Sequence, residues 1–93
     1  MDLLVNRFLN GYPYLCRATD ISHTGMRVVP LNQPAVQTRF MGLQFQLPGS
    51  NEVVTASGEA VAAAGDGGAV GIRFTRLPPE SIEQIGRFVA RHD

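Results

Sequence analysis

Between Leu3 and Thr75 the chain runs in six short, largely apolar segments. Each is closed by glycine, proline, asparagine or aspartate, and the apolar spacing becomes helical only after Pro78-Pro79. Strands joined by tight turns, with no helix between them, can pair only as an antiparallel sheet or barrel. Asn10-Gly11 separates the runs Leu3 to Leu9 and Tyr12 to Thr19, and this dipeptide supplies the two positive φ angles of a type I′ hairpin turn. A turn over Asp20 to Gly25 leads to a short strand, Met26 to Pro30. From Gln37 the residues alternate, with Met41, Leu43, Phe45 and Leu47 on one face.

After Pro48-Gly49-Ser50-Asn51 a long strand of small residues is expected over Val53 to Ala64, with a bulge or close backbone approach at Gly58. Gly65-Asp66-Gly67-Gly68 is the next turn. The last strand, Ala69 to Thr75, places Val70, Ile72 and Phe74 on one face and Gly71 and Arg73 on the other. A helix opens at Pro78-Pro79-Glu80-Ser81, where proline and acidic residues suit the first turn. Ile82, Ile85, Phe88 and Val89 form its apolar stripe, with Gly86 permitting close contact against the barrel, and Arg87, Arg91 and His92 lie at the end favourable to cations. The expected fold is mainly β, a six-stranded antiparallel barrel with one C-terminal α-helix. Ninety-three residues suffice for one domain spanning 1–93.

The formal net charge is zero, so no net field draws the chain to a polyanion or an anionic membrane surface. All eight basic residues are arginine. Cys16 is the sole cysteine, which excludes an internal disulfide and suits a reducing compartment. No run approaches the roughly 20 apolar residues of a membrane span, and a soluble, cytoplasmic protein is expected.

The stretch Thr19-Asp20-Ile21-Ser22-His23-Thr24-Gly25-Met26-Arg27 resembles the PilZ family, whose signature Asp/Asn-x-Ser-x-x-Gly is matched by Asp20, Ser22 and Gly25. A second family-like feature is Gly71-Ile72-Arg73-Phe74, running through a proline-marked turn into the terminal helix. The resemblance covers about Leu3 to Val89. It implies a six-stranded barrel with a C-terminal helix that acts as a receptor for cyclic di-guanylate, in which Asp20 and Ser22 hold a guanine and Gly25 lets the backbone approach the ligand. The same residues are also good turn formers without a ligand.

The family's other ligand element, an Arg-x-x-x-Arg pair just before the first strand, is absent from these residues: four positions after Arg7 stands Gly11. Arg87 and Arg91 have the spacing but lie on the helix. Arg7 and Arg27 are the candidate substitutes, so the candidate ligand residues are Asp20, Ser22, Gly25, Arg7 and Arg27. Each lost charge-assisted fork typically costs about 1–3 kcal/mol, and two lost forks weaken binding roughly a hundredfold or more.

Catalysis has little support, since His23 and His92 are the only histidines and no metal, nucleophile or phosphate-loop motif occurs. A nucleic-acid-binding barrel, using Phe8, Tyr12 and Tyr14 beside Arg7 and Arg17 as a stacking surface, is the nearest rival in architecture, but the zero net charge opposes it. The expected function is a non-catalytic PilZ-like regulatory module, degenerate in cyclic di-guanylate binding. It would act as a protein-interaction adaptor in bacterial motility, polarity or surface behaviour through the solvent face of the barrel, including Arg39 and Arg73. The alternative is a working cyclic di-guanylate receptor that uses Asp20, Ser22, Gly25 and non-standard arginines. No metal or cofactor is expected beyond the dinucleotide.

Overall fold

The computed structural model describes residues 3–31, 38–63 and 68–92. Its elements are β1 (Leu3–Leu9), β2 (Tyr12–Ile21), β3 (Gly25–Pro30), β4 (Phe40–Gln46), β5 (Val53–Ala63), β6 (Val70–Arg76) and α1 (Pro79–His92). The strands close into a barrel in the order β1-β2-β3-β6-β5-β4, with every pairing antiparallel. Two meanders, β1–β2–β3 and β4–β5–β6, therefore meet at two seams, β1 with β4 and β3 with β6.

Local sequence explains most of these elements. Asn10 and Gly11 both hold positive φ, 52° and 83°, as a type I′ turn requires. Met41, Leu43, Phe45 and Leu47 are buried, and Ile72 lies inward while Arg73 faces out. The β5–β6 register shifts between Ser57 and Gly58, at the glycine expected to bulge, and again between Ala60 and Ala62. A Cβ on Gly58 would lie 2.5 Å from Ile72 Cγ2, so the bulge brings backbone against a core side chain. Gln37, Ala64 and most of the Gly65 to Gly68 turn fall outside the described residues.

Three expectations need correction. Strand β2 continues through Asp20 and Ile21, whose side chain is buried, after a register shift between Ala18 and Asp20. Ile82 is 53% exposed and has no part in the packed face of the helix. That face is Ser81, Gln84, Ile85 and Phe88, with Val89 partly buried beside it. Ser81 Oγ donates to Thr55 O (2.9 Å) and Gln84 Nε2 donates to Glu52 Oε2 (2.5 Å), so two polar side chains tie the helix to β5 and the residue preceding it. A Cβ on Gly86 would meet His23 Nε2 at an ordinary 3.7 Å, so no close approach there requires glycine.

Inside the barrel Val5, Cys16, Val28, Val54 and Ile85 are essentially inaccessible. Full burial of such an aliphatic side chain stabilises the fold by roughly 1.5–3 kcal/mol. Cys16 Sγ donates to Val5 O at 3.4 Å. Burial pushes its thiol up to about 11, against a smaller opposing pull from the nearby positive charge of Arg7.

Ile85→Ala and Phe88→Ala should each destabilise the protein by about 2–5 kcal/mol in a denaturant titration, because both side chains complete the barrel core; wild-type midpoints would mean that the helix is a detachable arm. Cys16 should react with a thiol reagent at neutral pH only as fast as the fold opens. Prompt stoichiometric labelling of the native protein would contradict its burial.

Candidate functional site

The Asp20 to Gly25 segment is built by its own side chains. Ser22 N–H donates to Gly25 O (2.8 Å), and Ser22 Oγ accepts from Thr24 N–H (3.2 Å) and lies 3.1 Å from Thr24 Oγ1. These are the local hydrogen bonds by which serine and threonine hold a tight turn. Phe74 N–H donates to Thr24 O (2.8 Å) and fastens the turn to β6. Gly25 does not hold positive φ. Its constraint is spatial: a Cβ there would stand 2.1 Å from Ile72 O, inside the neighbouring backbone. Residue 25 must lack a side chain for β3 to pair with β6.

An open groove of about 430 Å³ lies over this seam, lined by Asp20, Ser22, Thr24, Gly25, Arg27 and Arg73 among others. Two pairings organise its floor. Gly25 is opposite Arg73, and Arg27 is opposite Gly71, so the two arginines occupy diagonal positions and the two glycines leave backbone partly open between them. Asp20 is the register partner of Arg27 on its other side, yet no ion pair joins them. Asp20, Arg27 and Ser22 all reach solvent.

Arg73 belongs to a second cluster. Its Nη2 donates to Glu59 Oε1, and Arg39 Nε donates to Glu59 Oε2 (2.5 Å). Glu59 is only 4% exposed although it sits on the outer surface of β5, because the two guanidinium groups cover it. The hydrogen bonds from Arg73 and then Arg39 hold its carboxyl below the usual carboxylate range. Arg39 also lies over the ring of Phe40, 5.4 Å from its centroid. The arginines read from sequence as a free protein-binding face are thus anchored on a shared carboxylate. The signal for this lay in the alternation of β5, which puts Glu59 on the outer face, but the pairing that brings Arg39 and Arg73 to it is non-local.

Of the five candidate ligand residues, the fold brings together Asp20, Ser22, Gly25 and Arg27. Arg7 is elsewhere. It is 2% exposed, on the inward face of β1, and its Nε has no hydrogen-bond partner among the described residues. Strand β1 is three strands from β6 around the six-stranded ring, so Arg7 is enclosed inside the barrel and the wall separates it from the outer groove. The aromatic surface imagined for nucleic acid dissolves in the same way: Tyr14 packs with the core near Arg7, whereas Tyr12 is 70% exposed at the hairpin tip. Arg87 donates to Glu83 Oε1 (3.3 Å) one helical turn away, as a surface pair on α1. A larger hollow, about 660 Å³, lies on the far side of the barrel beside Leu4, Asn6, Leu15, Gln44 and Val53. It has no charged group in its lining, and we place the polar chemistry in the smaller groove. Among the described residues no cluster of three or more His, Cys, Asp or Glu could hold a metal, and no helix is long and apolar enough to cross a membrane.

Known proteins share this architecture. The barrel is similar to the PilZ domain with c-di-GMP of YcgR from Escherichia coli, with a TM-score of 0.72 and 16% identity over 97% of this chain and 80% of that one. No curated protein matches the sequence. The sequence profile of the PilZ domain matches residues 1–91. With that match running nearly end to end, and with the barrel, the turn and the terminal helix all in place, the chain belongs to the PilZ domain family.

Proposed function

We propose that this PilZ domain is a non-catalytic regulatory module in which cyclic di-guanylate binding is weakened and the output is made by contact with another protein, in bacterial motility, polarity or surface behaviour. The observation that carries the reading is the position of Arg7. The sole basic residue of β1 is turned into the barrel, leaving the groove beside the turn with Arg27 and an Arg73 already tied to Glu59 in place of two free guanidinium forks. A dinucleotide with two phosphates and two guanines would lose roughly a hundredfold or more in affinity without such forks.

The protein contact has a suitable surface. Leu4, Leu15 and Val53 are 58%, 37% and 52% exposed around a hollow on the outer face of the barrel that no charged residue lines, with Asn6, Gln44 and Gln46 between them. An apolar patch of this kind, carrying amides but no charge, has the composition of an interface core.

The alternative, a working receptor, is favoured by one observation, the arrival of Arg27 and Arg73 at the same groove as Asp20 and Ser22. Titration calorimetry with cyclic di-guanylate at low micromolar protein separates the two. We expect no saturation in that range, whereas a dissociation constant near or below about 1 μM, abolished by Asp20→Ala, would establish the receptor. For the output, a photo-crosslinker at Leu15 should trap a specific protein in the source cells. Retention of that protein should be lost in Leu15→Asp and kept in Ser22→Ala; equal retention by both variants would count against the apolar face.

A further inference from the structure

We infer that Arg27 and Arg73 form a displaced arginine pair that receives a phosphodiester of the cyclic dinucleotide across the β3–β6 seam, and that Glu59 restrains this pair by partly offsetting the charge of Arg73. The inference rests on the reading that dinucleotide binding is weakened rather than absent.

The geometry begins with the register. Because Gly25 faces Arg73 and Gly71 faces Arg27, the two arginines are diagonal neighbours on the outer surface, a relation that sets residues about 7–8 Å apart. Both side chains are longer than half that span, so their forks can converge on one anion between them. No side chain stands between them, since the other two positions of this square are glycines. An anion approaching the seam meets partly open backbone flanked by two guanidinium groups. Neighbouring positions suit the rest of such a ligand. Asp20, opposite Arg27 and not ion-paired with it, offers a carboxylate that accepts two parallel N–H bonds, the donor pattern of a guanine edge. Ser22 and Thr24 line the same wall.

The two arginines are not equivalent. The Arg27 guanidinium has no hydrogen-bond or ion-pair partner among the described residues, the one side-chain bond at this residue being that which its backbone carbonyl accepts from Thr19, whereas Arg73 donates to Glu59 Oε1. The register explains why. Gly25, Arg73, Glu59 and Phe40 form one row across β3, β6, β5 and β4, so the neighbour of Arg73 on the side away from the groove is the carboxylate, itself braced by Arg39. Glu59 uses one N–H of Arg73 and leaves the other donors of that fork unsatisfied. It therefore positions the guanidinium at the groove edge but sets a negative charge directly behind it. An incoming phosphodiester would be attracted by Arg73 and repelled by Glu59, whose one negative charge is shared between Arg73 and Arg39, so Arg73 meets the ligand with its charge partly offset and Arg27 does not.

This account makes an unusual demand, that removing an ion-pair partner should improve binding. The experiment is a heteronuclear NMR titration of the full chain with cyclic di-guanylate to millimolar concentration, with a thermal melt of every variant. Wild type should saturate weakly, in the range of roughly tens to hundreds of micromolar. Arg27→Ala, which leaves the Glu59 cluster intact, and Arg73→Ala should each weaken binding about tenfold or more. Glu59→Gln, which keeps the shape and one of the two acceptor oxygens while removing the charge, should tighten it about three- to tenfold.

Wild-type affinity in Arg27→Ala overturns the pair, and unchanged or weaker binding by a folded Glu59→Gln overturns the restraint. If Glu59→Gln does not fold, Arg39→Ala supplies the second reading: it leaves Glu59 with Arg73 alone, so binding should weaken, and unchanged binding overturns the restraint. No shift in any amide at millimolar ligand, in wild type and Glu59→Gln alike, overturns the inference while leaving the protein-contact function standing. A wild-type constant near or below about 1 μM overturns weakened binding instead, and the arginine variants then still decide which groups hold the phosphate.

Discussion

The close approach of β3 and β6 at Gly25 is the constraint on which the rest of the barrel depends. Each meander is held internally by hairpin neighbours, but the two meanders are joined only along the seams β1–β4 and β3–β6. At the second seam the backbones come so near that a methyl group at position 25 would lie 2.1 Å from Ile72 O. A barrel that cannot close there is left with two unpaired edges and an exposed core. The same approach lets Thr24 O accept from Phe74 N–H, which fixes the turn against β6 and so sets the positions of Asp20, Ser22, Arg27 and Arg73 relative to one another. The residue that closes the fold also assembles the groove.

That double role changes how the signature should be understood. A glycine in this place can be demanded by a turn, by a ligand or by a neighbouring strand, and the conformation distinguishes them. With φ outside the left-handed region, the turn itself does not need it. The clash with Ile72 O does, whether or not a nucleotide is present. Asp20 and Ser22 are different. Ser22 is used by the turn, through its bonds to Thr24 and Gly25, whereas Asp20 makes no side-chain bond to the turn and stands at the groove rim. Of the three, Asp20 is the one whose retention is not explained by folding.

Much of the architecture was legible in the sequence because period-two alternation and turn chemistry are local. Asn10-Gly11, the alternating Met41 to Leu47 and the bulge at Gly58 all follow from neighbouring residues. Two misreadings concern polar side chains that the fold buries. Helical spacing of apolar residues places Ile82 on the packed stripe with Ile85, Phe88 and Val89, but Ser81 and Gln84 take that face because each finds an acceptor on or beside β5. Arg7 was read as available for a ligand because arginine is so rarely enclosed, but its place in β1 follows the strict alternation of Leu3, Val5 and Leu9. The pattern of β1 was the correct guide, and residue type misled. At the groove, Asp20, Ser22 and Gly25 were visible as a motif, while the contribution of Arg73 required knowing that β6 lies beside β3.

The zero net charge illustrates the same separation of local from global. Summed over the chain, eight basic and eight acidic groups cancel, and such a total gives no net long-range attraction for a polyanion. What a small ligand meets is the charge within about a Debye length, roughly 8 Å at physiological salt. Over the β3–β6 seam that neighbourhood holds Arg27 and Arg73, with Asp20 at the rim and Glu59 behind Arg73. On the opposite side, no charged residue lines the hollow beside Leu4 and Leu15, and Arg17 stands at its border as the register partner of Leu4. One barrel therefore presents two surfaces of different chemistry, a mixed-charge groove over a glycine floor and an uncharged apolar face. They lie on opposite sides of a closed sheet whose interior is packed, so a ligand in the groove can affect the far face only through the strands themselves. The shortest such route runs along β2 itself, which carries Asp20 at the groove rim and Leu15 at the far face, with the register shift between Ala18 and Asp20 lying on the way.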